Sequence, residues 1–122
     1  MQELTVVLGA SEKTFRYSNM AVLSLLRHGY RVMAVGARSG KIDSVDILTG
    51  MPDPNDSVNT VTLYLSKKNQ EPLYDYILKK LKPQRILFNP GAENEELAKR
   101  AHELGIKTED ACTLVLLSTN QY

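Results

Sequence analysis

Apolar residues in this chain fall either into short unbroken runs or onto three- and four-residue spacings, with glycine, proline and polar loops between them. Leu4-Thr5-Val6-Val7-Leu8 is an unbroken, β-branched run closed by Gly9, which predicts a strand covered on both faces. A polar loop of about eight residues follows. Val22, Leu25 and Leu26 then recur at helical spacing, and Ser18 or Asn19 supplies the helix cap. Arg27 and His28 suit the last turn of that helix and Gly29 suits its left-handed end. Arg31 to Val35 is a second strand, so close behind the helix that the three elements read as a βαβ unit with parallel pairing and a right-handed crossover.

Residues 36–59 carry Gly36, Gly40, Gly50, Pro52 and Pro54 and show little periodicity beyond a short strand near Val45 to Leu48. Thr60 to Leu65 is β-branched and aromatic and forms the third main strand. Asn69 or Gln70 opens the next helix, Pro72 suits its first turn, and Leu73, Ile77 and Leu81 form its inner face until Pro83. Arg85 to Phe88 is strand four. Asn94 caps a helix opened by Glu95 and Glu96 and closed by Gly105, Ile106 to Thr108 is strand five, and a short helix follows Cys112.

Strands alternating with helices predict a single doubly wound α/β domain over residues 1–122. The expected core is a five-stranded parallel sheet ordered 3-2-1-4-5 with helices on both faces. Such sheets bind ligands beyond the carboxyl ends of their strands, at the point where strand order reverses. That rule gathers Gly9, Val35, Gly36, Ala37, Arg38, Leu65, Ser66, Asn89, Pro90 and Gly91 around one crevice.

Composition narrows the classes. At 122 residues, with 43% hydrophobic and 24% charged, the chain has the size of one domain with one core. A net charge of +1 without a Lys/Arg run excludes a nucleic-acid track, so any anion site is local. The longest apolar run, near Leu114 to Leu117, is far too short for a membrane span, which takes about 20 residues. No signal peptide is recognisable and Cys112 has no cysteine partner, so a cytoplasmic location is expected. Two separated histidines make no metal site by spacing, and Cys112 among apolar neighbours reads as packing, leaving no catalytic residue to name.

The candidate chemistry lies in the first turn. A strand running through Gly9-Ala10-Ser11 toward a helix brings backbone N–H groups to the positive end of the helix dipole, a phosphate-binding arrangement. It is neither Gly-x-Gly-x-x-Gly nor a P-loop. NAD sites usually place an acid about 20 residues beyond their glycines, to hold the ribose hydroxyls. Here no carboxylate occurs from Lys13 until Asp43, and Arg38 and Lys41 follow strand two instead. Cations there favour a ribose that carries an extra phosphate, as in coenzyme A or NADP. Arg38 is the better ribose-phosphate ligand because its guanidinium binds in a bidentate fork. In the loop before the helix, Arg16 is the preferred pyrophosphate contact, flanked by Tyr17 and Ser18.

Several segments together resemble the small stand-alone CoA-binding domain proteins, related in fold to the CoA-binding domain of succinyl-CoA synthetase. They are Thr5 to Ser11, Arg16-Tyr17-Ser18, His28 to Val32, Asn89-Pro90-Gly91 with Glu93-Asn94, and Ala111 to Val115. The resemblance implies a Rossmann-like domain that binds CoA or an acyl-CoA and has no chemistry of its own. It also implies that the further domains of the larger synthetases are absent, and that Asn89 to Gly91 lies near the reactive end of the ligand. The alternative is an NADP-binding oxidoreductase or a subunit of a CoA-transfer enzyme. A homodimer formed through exposed tyrosines of the Tyr74 helix, or through the apolar C-terminal segment, is a further expectation.

Overall fold

A computed structural model describes residues 3–122. The elements in chain order are β1 (Leu4–Leu8), α1 (Tyr17–Arg27), β2 (Arg31–Val35), β3 (Gly40–Ile42), β4 (Val45–Leu48), β5 (Val58–Leu63), α2 (Lys67–Gln70), β6 (Arg85–Phe88), α3 (Glu95–Glu103), β7 (Lys107–Asp110) and α4 (Thr113–Ser118). After α2 the helical path continues through a 3₁₀ turn at Glu71–Leu73 and a π-helical segment at Tyr76–Leu81.

All seven strands join one sheet in the order β3-β4-β2-β1-β5-β6-β7, parallel throughout except for β3, which runs antiparallel to β4. This corrects the expected five strands and their order. The irregular stretch after β2 folds into the β3–β4 hairpin, turned at Asp43 with φ +53, and β4 occupies the place beside β2. With that edge filled, β5 crosses to the far side of β1 and pairs with it along its length. The order reversal therefore falls between β1 and β5, and β6 stands one strand further away.

Alternation along β1 divides the core. Leu4, Val6 and Leu8 face one layer with Val61, Leu63, Ile86 and Phe88, covered by Ile77 and Leu81 and by Leu97 and Ala101 of α3. Val7 and Ala34 face the other layer, covered by Val22 and Leu25 of α1 and Leu117 of α4. Polar side chains on the β1 and β5 side of this second layer pair with the C-terminal residue and with β6. Thr5 bonds the Tyr122 hydroxyl (2.6 Å), and Arg85 donates to Thr60 (2.7 Å) while stacking 4.4 Å from the Tyr122 ring.

Helix α1 begins two residues before the expected caps. Arg16 is its N-cap, and Ser18 and Asn19 lie inside the helix and are buried, with the Asn19 amide donating to the Ser11 carbonyl (2.9 Å). Asn94 caps α3 as expected, its Oδ1 accepting the Leu97 N–H at 3.1 Å. Tyr74 and Tyr76 are buried, so they offer no dimer face. Of the apolar C-terminal segment, Leu116 and Leu117 are buried and Val115 is exposed. Among the described residues no helix is long and apolar enough to cross a membrane.

Candidate functional site

The carboxyl ends of β1 and β5 open on a cavity of about 660 Å³, within the usual range for small-molecule sites. Gly9, Ala10 and Ser11 form its floor at the end of β1. Lys13, Arg16, Tyr17 and Ser18 form one wall, Ala37 and Arg38 a second, and Tyr64 to Ser66 with Asn69 a third. Three cations line this space, and among the described residues no carboxylate does.

Gly9 closes the floor because the chain must pass against β5. Its φ is +96, and a Cβ there would stand 2.6 Å from the Tyr64 carbonyl oxygen. Its amide is not available to a ligand, and neither is that of Ala10. Both donate to the Val35 carbonyl at 2.9 Å, which corrects the expectation that Gly9 and Ala10 cradle phosphate through their N–H groups. Val35 thus serves as an internal acceptor. Gly36 gives its N–H to the Leu48 carbonyl (2.9 Å), and a side chain there would overlap the Ala10 carbonyl oxygen.

The open donors lie one turn further on. Helix α1 has no side-chain cap and no acid in its first turn. The Arg16 carbonyl takes the amides of Asn19 and Met20, and among the described residues those of Tyr17 and Ser18 make no hydrogen bond. The first N–H groups of a helix carry partial positive charge and want an acceptor. Lys13, Arg16 and Arg38 border the same cavity, so charge and donors address an anion together.

The other expected ligand residues lie elsewhere. Lys41 sits on β3, outside the lining, 3.8 Å from Asp46. Pro90 and Gly91 are exposed after β6, one strand beyond the cavity. Asn89 is 2% exposed, and its amide is spent within the protein. Nδ2 donates to Thr62 Oγ1 (2.6 Å) and to the Leu63 carbonyl (2.9 Å), while Oδ1 accepts the Thr113 N–H (2.9 Å). It ties β5 and β6 to α4. The displacement of β6 from the order reversal is the physical reason this turn misses the crevice.

Ala37 and Ser66 line the cavity as the strand-end rule expects, and so does Lys13 of the loop before α1, whereas Tyr64 and Asn69 line it without a signal in the sequence. Ser66 is the N-cap of α2, three residues earlier than the helix start expected from Asn69, and the serine before Lys67 was the available signal. Burial pushes the Tyr64 hydroxyl up to about 12. That hydroxyl makes no hydrogen bond, while the neighbouring Thr62 and Thr113 hydroxyls bond each other at 2.7 Å. A different buried network steadies the third wall: Gln70 Nε2 donates to the Leu65 carbonyl (2.8 Å) and the Ala92 carbonyl (2.7 Å), and its Oε1 accepts from Asn94 (2.9 Å).

A Rossmann-like domain with a cationic cavity at its strand-order reversal is a nucleotide-binding architecture. The chain belongs to the CoA-binding domain family, whose model matches residues 3–118. A solved structure described only as an uncharacterized protein is 41% identical, with a TM-score of 0.94 over 100% of this chain and 99% of that one. A Thermus thermophilus protein superimposes at 0.87 with 20% identity over 99% of this chain and 91% of that one. The chain also matches 25% of the Ca. Korarchaeum cryptofilum dinucleotide-forming acetyl-coenzyme A synthetase 1, using 88% of its own length, at 0.73 and 18% identity. At that identity the last two likenesses show the fold alone. No curated protein matches the chain.

Proposed function

We propose that this protein binds coenzyme A or an acyl-CoA in the cavity between β1 and β5, as a binding module with no reaction of its own. The observation that carries the reading is a lining of three cations and no carboxylate around an uncapped helix N-terminus. The residues present fit a ligand with a diphosphate and a separate ribose phosphate. Arg16, Lys13 and the first amides of α1 are the donors for the diphosphate, and Arg38, on the opposite wall, is the donor for the ribose phosphate. Gly9 leaves the floor free of side chain. Family membership supports the choice of CoA, and no observation favours NADP.

Thermal unfolding with added ligand tests the proposal. Free CoA at 100 times its dissociation constant adds about 2.7 kcal/mol to the folded state. The melt is expected to rise most with CoA, less with dephospho-CoA, and least with NADPH. Equal and negligible shifts with CoA, dephospho-CoA and adenosine overturn the assignment. A shift with NADPH and none with CoA reverses it.

A further inference from the structure

Glu12 is the one acid in an otherwise cationic loop, and the structure turns it away from the cavity. Its neighbours Ser11 and Lys13 line that cavity and Glu12 does not. Its carboxylate instead crosses to the start of β3, where Oε2 accepts the Lys41 N–H at 2.9 Å. The Glu12 side chain lies flat against Gly40, so closely that a Cβ on Gly40 would fall on the Glu12 carboxyl group. The amide it accepts belongs to β3, an edge strand whose outward donors would otherwise face solvent.

This contact closes one end of a short span. The Gly36 end is fixed by its bond to Leu48 and its fit against Ala10, and the Lys41 end by Glu12. Arg38 sits between the two anchors, with Ala37, on the cavity wall. We infer that Glu12 is a positioning residue for ligand selectivity: it latches the turn that presents Arg38 to the ribose phosphate. The inference rests on the CoA-binding reading and adds to it a residue that touches no ligand. A carboxylate in an anion site would normally weaken binding by like-charge repulsion. Held on the Lys41 amide, it orders a guanidinium instead.

The test is the ratio of dissociation constants for dephospho-CoA and CoA, measured by titration calorimetry on folded protein checked by its melt. Glu12→Ala removes the latch. Gly40→Ala displaces it from the other side, at a position outside the left-handed region where alanine fits the backbone. A charge-assisted hydrogen bond at an accessible site corresponds to about a tenfold loss of preference for CoA in both variants. Glu12→Gln keeps an acceptor oxygen and restores most of the preference. In an Arg38→Ala background, Glu12→Ala adds no further loss, as coupling through one residue requires. An undiminished preference in Glu12→Ala overturns the inference, as does an equal loss of affinity for both ligands. A wild-type protein that binds both ligands equally removes the Arg38 contact itself, and that failure shows before any variant is made.

Discussion

Replacing Asn89 by alanine separates a structural role from a ligand contact. The side chain is buried and makes three hydrogen bonds, to Thr62, the Leu63 carbonyl and the Thr113 amide. Each contributes about 1 kcal/mol net, so losing all three costs about 3 kcal/mol. Leaving the Leu63 carbonyl and the Thr113 amide unpaired in the interior raises that figure further. For a domain of this size, 3 kcal/mol lowers the midpoint by roughly 10–15 °C. Asn89→Asp is expected to be worse, since it turns a carboxylate oxygen toward the Leu63 carbonyl. The assay is a thermal melt with and without saturating CoA. The expected result is a lower midpoint in both, with the ligand-induced rise preserved. A wild-type midpoint accompanied by loss of that rise would refute the reasoning and place Asn89 on the ligand.

Gly9→Ala forces a side chain against the Tyr64 carbonyl at a left-handed position, and strain of about 1–3 kcal/mol is expected as a lower urea midpoint. Arg16→Ala is expected to weaken CoA about tenfold and to flatten the dependence of affinity on salt, as calorimetry at two ionic strengths can show. Burial holds Tyr64 and Tyr76 protonated up to about 12, whereas in the unfolded chain they ionise near 10. Between those values the unfolded state binds fewer protons, so stability is whole below pH 10 and falls as pH rises from 10 to 12. Tyr64 accounts for roughly 2–3 kcal/mol of that fall. Tyr64→Phe removes its share of the slope and, because the hydroxyl has no partner, is neutral or stabilising near pH 7.

What the sequence disclosed follows from the range over which each feature is determined. The β1–α1–β2 unit was readable because a buried run, a helical spacing and a short connection are all local. The cap at Asn94 was readable for the same reason. Strand order was not, since the place of β5 depends on where a three-residue and a four-residue strand of mixed polarity settle beside β2. That error carried into the site. Gly9 to Ser18 and Arg38 were found because chain continuity and the β1–β2 pairing hold them together, whereas Asn89 to Gly91 were included on a sheet order that brings β6 one strand too near. An asparagine that donates and accepts serves a ligand or a core equally well, and only the positions of Thr62, Leu63 and Thr113 decide between them. The spent amides of Gly9 and Ala10 were equally hidden, because their acceptor, Val35, is remote in sequence.

The most direct measurement is a crystal structure of the protein grown with CoA. Density for the ligand between β1 and β5, with phosphates on Lys13, Arg16, Arg38 and the first amides of α1, is the predicted result. CoA held instead at the far edge of the sheet, among Arg85, His102 and Lys107, would contradict the account.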